Sequence, residues 1–181
     1  MRPLIYMPII GNFMHFLRAG DTVDSVVVSA TGKPDITPST NWPQLGVVKS
    51  VTPEFEEIEN KWDEPQANGT YLRRSEPITV ASYLDVELEG VVDIALEMMF
   101  GISKAASGVA QIPGNVNARH VEGWIKYQAR QVTGAVGTDL VVSDQWVQAS
   151  LKTAPKFSAQ RATCVMRFQL LPSNLNTVVI N

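Results

Sequence analysis

Hydrophobic and polar residues alternate with a period of two over several stretches, as in strands that have one buried and one solvated face. In the clearest stretch, residues 82–89, leucine and valine alternate with tyrosine and acidic residues. Further strands are expected at residues 25–30, 45–52, 54–61, 72–80, 120–132, 138–142, 145–153 and 160–171. Eight or nine strands of this kind predict an all-β fold, a sandwich or a barrel.

One stretch departs from this period. Residues 91–100 are almost wholly apolar and lie between Gly90 and Gly101, and Gly101 suits the left-handed position that ends many helices. A helix this short is not stable alone in water, so it must be buried against the sheet. The pattern therefore predicts a single flanking α-helix. A helical turn is also conceivable at residues 12–17.

The segments between these elements are loops and termini. Residues 31–43 hold three prolines, residues 62–70 contain the turn pair Asn68-Gly69, and residues 103–118 are rich in small side chains. Long loops in compact domains are commonly functional or bind a partner. Residues 1–20 are apolar but are interrupted by Pro3 and Pro8, which argues against a signal peptide or a membrane span. Residues 1–181 are expected to form one domain, with 1–20 and 172–181 available for inter-subunit contacts.

Composition narrows the class of protein further. The chain has 181 residues, 45% of them hydrophobic, and its formal net charge is −3. A generic nucleic-acid-binding domain would usually be basic. Cys164 is the only cysteine, which excludes an intrachain disulfide and a cysteine cluster for zinc. In its apolar surroundings Cys164 is expected to be a small buried side chain.

No motif for catalysis or for a cofactor is present. The chain lacks the glycine-rich phosphate-binding loops and the HExxH zinc motif, and its two histidines, His15 and His120, are far apart. We therefore expect no enzymatic activity and no cofactor. The acidic stretch at residues 54–64 leaves three interpretations open: a solvated face, paired carboxylates of a hydrolase, or a surface that repels a polyanion. Trp42 and Trp62, expected in loops, fit a protein interface better than a sugar platform.

Four segments together resemble a known family. They read LGVVKSVTPEFEEIE, LRRSEPITVASYLDVELEGVVDIALEMMFG, VEGWIKYQARQ and ATCVMRFQLLPS, and they cover most of residues 45–172. This succession resembles the major tail tube proteins of tailed bacteriophages and the tube proteins of contractile injection systems. The resemblance implies a β-sandwich or barrel with one flanking helix at residues 91–100. It also implies rings of six copies, stacked into a tube through which DNA passes.

The resemblance gives the acidic and aromatic residues a location in the assembly. Carboxylates that would face the lumen and repel DNA are Asp85, Glu87, Glu89, Glu54, Glu56, Glu57 and Glu59. Residues that would contact neighbouring subunits are Trp42, Trp62, Arg73, Arg74, Val178, Val179 and Ile180. The expected partners are other copies of the chain, other phage tail proteins and passing DNA, with no membrane. The expected location is the virion, after assembly in the host cytoplasm.

Two other functions remain open from the sequence. The first is a β-sandwich binding module, either a virion decoration or tail-completion protein or a carbohydrate-binding protein. The second is a hydrolase with paired carboxylates. A tube subunit predicts hexamers or long polymers, whereas both alternatives predict a monomer or a small oligomer.

Overall fold

The computed structural model describes residues 9–34, 42–90, 93–100, 120–133, 136–155 and 162–180. Within these ranges the chain forms nine strands and one helix. The strands are β1 (Ile9–Arg18), β2 (Thr22–Val23), β3 (Val26–Val27), β4 (Val47–Pro65), β5 (Tyr71–Glu89), β6 (Val121–Thr133), β7 (Val136–Thr153), β8 (Thr163–Leu170) and β9 (Thr177–Ile180), and the helix is α1 (Asp93–Phe100). The predicted all-β fold with one helix is confirmed.

One antiparallel sheet organises the molecule. Its strands follow the order β1-β6-β7-β8-β5-β4, and β9 pairs with a further part of β7. The two ends of this order meet, because the Phe16 amide donates to the Pro43 carbonyl at 3.1 Å and the Leu45 amide donates to the Met14 carbonyl at 2.8 Å. Residues 43–45 run directly into β4, so these bonds close the sheet into a barrel.

Several strands are longer than the sequence pattern predicts. The separate strands expected at residues 72–80 and 82–89 are one strand, β5, and those expected at 45–52 and 54–61 are both parts of β4. The helical turn suggested for residues 12–17 is wrong, because these residues lie in β1. The turn predicted at residues 62–70 is shorter than expected, since β4 continues to Pro65. Residues 1–8, 35–41 and 103–118 lie outside the described part of the chain.

The main hydrophobic core lies on one face of the central strands. Val86 and Leu88 of β5 alternate into it, as the sequence predicts, and Met166 and Phe168 enter from β8. Cys164 also belongs to this core, so its predicted role as a small buried side chain is confirmed. Burial raises the pKa of the Cys164 thiol.

The helix contributes to the same core. Ala95 and Met98 are fully buried, whereas Leu96 is only half-buried. Glu97 is buried too and forms an ion pair with Arg18 of β1. The predicted burial of the helix is therefore confirmed, but its most deeply buried large side chain is Met98 rather than Leu96. Gly90 adopts φ 97°, which marks the turn out of β5, and Gly101 lies outside the described residues.

A second, smaller core contains three tryptophans, Trp42, Trp124 and Trp146, together with Leu17 and Val28. The Trp124 and Trp146 rings pack edge to face with their centroids 5.5 Å apart. The Trp124 indole donates a hydrogen bond of 2.8 Å to the Ser29 carbonyl, so its one polar atom is satisfied.

Gly123 lets β1 approach β6 closely beside this core. A Cβ atom at Gly123 would lie 2.1 Å from the Leu17 carbonyl oxygen and 2.7 Å from a ring atom of Phe16. The first of these neighbours is backbone and cannot rotate away, so the packing of β1 on β6 requires glycine here.

Candidate assembly surface

Four charged side chains from four adjacent strands meet where the β4–β5 hairpin leaves the barrel. We call this set the root network: Glu54 of β4, Asp85 of β5, Arg167 of β8 and Lys152 of β7. Arg167 donates to Asp85 through two parallel bonds, from Nε to Oδ1 and from Nη2 to Oδ2, each 2.8 Å long. Lys152 donates to Glu54 Oε1 at 2.8 Å and also contacts Asp85, and Arg167 also contacts Glu54. Bidentate charge-assisted bonds of this kind fix the relative position of the strands that carry them.

Burial and pairing together set the electrostatics of Asp85. The residue is 6% exposed, since the side chains that pair with it also cover it. The hydrogen bonds from Arg167, together with those from Lys152, hold the pKa of the Asp85 carboxyl well below its usual range. Asp85 is therefore ionised at all physiological pH values. The sequence-based expectation that Asp85 stands on a solvated face is wrong for this residue.

Three of the acids on this face of the sheet are paired with cations of the same chain. Asp85 and Glu87 share the face opposite the core, as their alternation with the buried Val86 and Leu88 predicts. The Lys49 Nζ atom lies 3.5 Å from Glu87 Oε1. The three acids Glu54, Asp85 and Glu87 thus face the three cations Lys49, Lys152 and Arg167. The strongly negative wall expected at these positions is neutralised within one subunit.

The hairpin changes its apolar face at a β-bulge. Glu56 pairs with Ala81 but the next residue, Glu57, pairs with Thr79, so Val80 is an extra residue in β5. Directly paired residues share a face, and consecutive residues of β4 alternate. On the barrel side of the bulge, Phe55 shares the core face with Leu84 and Val86. On the far side, the apolar residues lie on the opposite face of the ribbon.

We call the hairpin beyond the bulge, residues 57–65 and 71–79, the arm. On one side, the apolar arm face, Ile58 and Ile78 lie directly opposite each other. After the polar pair Asn60–Glu76, the next two rungs are Trp62 opposite Arg74 and Leu72 opposite Glu64. The Arg74 and Glu64 side chains form an ion pair at 2.5 Å. The opposite side, the polar arm face, carries mainly charged and polar residues, including Glu57, Glu59, Lys61, Ser75 and Thr79.

The arm has no other part of the described chain against it. Its large apolar side chains range from 42% exposed for Trp62 to 72% exposed for Tyr71. In the described residues β4 pairs only with β5, and β5 pairs with β8 only from Tyr83 onward, so both edges of the arm are unpaired. An isolated two-stranded ribbon is at best marginally stable in water. Exposed apolar patches of this kind mark sites of protein–protein interaction.

A second apolar patch lies on β9. Val178, Val179 and Ile180 are all more than half exposed, and β9 pairs with β7 alone among the described strands. The start of β9 is held by Lys33, whose Nζ donates to the Leu175 carbonyl at 3.1 Å and lies 3.5 Å from Asp144 Oδ2. Burial raises the pKa of the Asp144 carboxyl. The prediction that residues 178–180 form an exposed apolar patch agrees with this arrangement.

The structure brings some of the predicted interface residues together and separates others. Trp62, Arg73 and Arg74 lie on the arm, but Arg74 pairs with Glu64 of its own chain rather than being free for a neighbour. Trp62 lies in a strand, not in a loop. Trp42 lies outside the strands, as predicted, but it is 5% exposed because it packs in the second core of its own chain. This burial also removes the sugar platform suggested by Trp42 and Trp62.

The acidic stretch of β4 is also divided. Glu54 and Glu56 share one face with Tyr83, whose hydroxyl donates to Glu56 at 3.0 Å, whereas Glu57 and Glu59 lie on the other face. One strand cannot direct all four carboxylates at one wall. The sequence contains a signal for this division: the apolar positions of β4 move from odd numbers (Val51, Phe55) to even numbers (Ile58, Trp62). Alternation considered strand by strand does not show this change.

The carboxylates of the root network are poorly suited to acid–base catalysis. A general acid in a carboxylate pair needs a raised pKa. The Arg167 guanidinium has the opposite effect on the pKa of Asp85, so this carboxyl is unsuited to the role of general acid. Among the described residues no group of three or more histidine, cysteine, aspartate or glutamate side chains is placed to hold a metal ion. In the same part of the chain, no helix has the length and apolar character needed to cross a bilayer.

Comparisons with known proteins give matches among solved structures only. No protein-family model matches the sequence, and no curated protein matches it. A sheath/tube terminator of the extracellular contractile injection system PVC in its extended state is 10% identical, with a TM-score of 0.45, over 98% of this chain and 99% of that chain. The PVC sheath-tube complex is 10% identical, with a TM-score of 0.46, over 99% and 95%. The tube-terminating cap of the anti-feeding prophage is 11% identical, with a TM-score of 0.45, over 100% and 95%.

Proposed function

We propose that this chain is a structural subunit of a phage-like tail, in which six copies form a ring and stacked rings form a tube that conducts DNA. The observation that carries the proposal is the arm, a folded hairpin with exposed faces and unpaired edges in the single chain. A monomeric protein rarely keeps so much apolar surface in water. The resemblance of the sequence to tail tube proteins favours a tube of stacked rings as the assembly.

The barrel and the arm have separate roles in this proposal. The barrel folds by itself, since both of its cores are closed by its own residues. The arm adds nothing to those cores and becomes buried only in the assembly. The subunit would therefore be made as a folded monomer in the host cytoplasm, and it would associate with further copies and with other tail proteins in the particle. No catalytic step and no membrane are part of this function.

The proposed lumen needs a revised set of wall residues. A wall that repels DNA requires negative charge that is not neutralised by nearby Lys or Arg. Glu54, Asp85 and Glu87 are each balanced by a cation, and Glu59 lies 2.6 Å from the Lys61 ammonium nitrogen. Glu56 and Glu57 are the members of the original set that the proposal uses. Of these two, Glu56 lies on the face opposite the core and is the better candidate for the wall.

Size measurement and electron microscopy of the purified protein test this proposal. We expect hexameric rings or tubes with a central channel, in equilibrium with monomer. A protein that remains monomeric at high concentration would contradict the proposal and favour a small binding module. In tubes that do form, Glu56→Lys should slow the passage of DNA, while Glu57→Lys, on the other face of the strand, serves as the matched control.

A further inference from the structure

The described residues contain two unpartnered apolar patches, and they lie at the same end of the sheet. Leu170, the last residue of β8, pairs with Val147, and β9 begins further along the same edge of β7. Tyr83, where the β5–β8 pairing ends, pairs with the neighbouring Gln169. The arm and β9 therefore both extend beyond the same end of β8.

The two patches do not cover each other within one chain. The side chains of the apolar arm face stay between 42% and 59% exposed, and Ile180 of β9 is 79% exposed. The two patches differ in shape and composition: one is a two-stranded ribbon edged with charge, and the other is a short uncharged strand. Different patches that meet between identical copies form a head-to-tail contact, which closes into a ring when the rotation allows it.

From this placement we infer that the apolar arm face of one copy packs against the face of β9 that carries Val178 and Ile180 in the next copy. This inference rests on the proposed function and names the contact that joins neighbouring subunits. Val178 and Ile180 share a face because they pair with Ser143 and Val141, on the face of β7 that also carries Val147. Both stay more than half exposed, while Thr177 and Val179 share the face of the buried Asp144. Ile58, Trp62, Leu72 and Ile78 are the arm residues that reach β9 of the neighbour.

The size of the contact makes assembly cooperative. Nine residues per strand and two strands give an arm face of roughly 30 Å by 10 Å, or about 300 Å². Stable protein pairs bury about 800 Å² on each partner. One arm contact is too small to hold a dimer, whereas each subunit of a closed ring makes two such contacts. The chain should therefore populate monomers and closed rings, with few open dimers.

Cysteine cross-linking between two variants tests the contact directly. The single native cysteine, Cys164, is buried and does not interfere. Ile78→Cys is mixed with a tagged Ile180→Cys variant, allowed to assemble, and oxidised or treated with a short bis-maleimide. We expect a mixed covalent dimer, seen as a band of intermediate size on a non-reducing gel. The matched control is Ser75→Cys with the same tagged partner, since Ser75 lies on the polar arm face three residues from Ile78.

The possible outcomes separate this inference from the proposed function. Rings by microscopy with a mixed product for Ile78→Cys, at least several-fold stronger than for Ser75→Cys, support both. Rings with equal or absent mixed products would overturn the arm–β9 contact and leave the ring proposal standing. A dominant Ile78→Cys homodimer would mean that two arms pack on each other, which also overturns the inference. Wild-type protein that stays monomeric would overturn both.

Discussion

Strands β4 and β5 run through both the barrel and the arm, but their apolar side chains are mostly covered in the barrel and exposed in the arm. On the barrel side of the bulge, Val86 and Leu88 of β5 are buried in a core that their own chain completes, and Val51 of β4 packs against it, although Phe55 stays exposed. Beyond the bulge, Ile58, Trp62, Leu72 and Ile78 lie on the other side of the ribbon and stay exposed. The barrel is therefore stabilised by contacts within the single chain, whereas the arm needs a partner to cover its apolar face.

The root network lies at the boundary between these two regions. It ties four adjacent strands together on the face opposite the core, immediately before the bulge. A hairpin that projects into water needs a defined base if its apolar face is to meet a partner at a fixed angle. The network supplies that base through charge-assisted bonds rather than through hydrophobic packing.

The largest expected effect is that of a charge placed in the helix core. Met98→Asp would bury an unpaired carboxylate among fully apolar neighbours, which costs several kcal/mol and should leave the protein insoluble or unfolded. Trp62→Asp in the arm should leave the soluble monomer folded. Soluble yield and far-UV circular dichroism check the pair. Leu96→Asp should be milder than Met98→Asp, because Leu96 is only half-buried, and equal damage would show that α1 packs differently.

Removing the central carboxylate of the root network should have the next largest effect. Asp85→Ala leaves Arg167 without its bidentate partner and should lower the free energy of unfolding by about 3 kcal/mol. Glu87→Ala on the same face breaks an exposed pair with Lys49 and should change it by less than about 1 kcal/mol. Urea titration of both variants gives the comparison. Similar values for the two would mean that the root network does not hold the base of the arm.

The same carboxyl predicts a dependence on pH. The folded-state pKa of Asp85 is held below its unfolded value of about 3.9, so its pairing stabilises the protein above that pH. The contribution is lost as the pH falls below about 4 toward the folded-state pKa. The stability difference between wild type and Asp85→Asn should therefore be constant from pH 6 to 8 and shrink on acidification. A difference that grows toward low pH would contradict the assignment.

Two glycines compare the barrel with the arm at the level of the backbone. Gly123→Ala forces a methyl group against the Leu17 carbonyl and should destabilise the protein by about 2–3 kcal/mol. Gly69→Ala at the arm tip meets no atom within 4 Å, and its φ of +78° makes it cost only about 1 kcal/mol. Chemical denaturation monitored in the barrel should show the cost of Gly123→Ala. The smaller cost of Gly69→Ala lies in the arm, and the same barrel probe should not detect it.

The smallest effect on the monomer is expected for apolar side chains of the arm. Ile78→Ser should change the free energy of unfolding by no more than about 0.5 kcal/mol, because the side chain is about half exposed in the single chain. The same change should reduce ring formation strongly. Thr79→Ala, on the polar arm face, is the control and should alter neither quantity. A large loss of monomer stability in Ile78→Ser would show that the arm packs on its own barrel.

The sequence by itself determined the fold class and most of the elements, but it missed β1 and β9. Period-two alternation located the central strands, and the change of period at residues 91–100 located the helix, because burial of one face imposes its spacing on the side chains. Alternation also placed Asp85 and Glu87 opposite Val86 and Leu88. These properties are local, so a short window of sequence contains the information that decides them.

Only the tertiary structure decided which exposed positions stay exposed and which charges are paired. The alternation predicts a solvated side chain at Asp85. In the structure, Lys152 of β7 and Arg167 of β8, both distant in sequence, pair with it and cover it. The sequence predicts Trp42 in a loop at an interface, but in the structure its side chain is buried with Trp124 and Trp146 of its own chain. The register of β4 with β5 alone shows that Val80 is an extra residue and that the arm presents its apolar side away from the core face. Pairing partners distant in sequence decide each of these outcomes, and no local pattern contains them.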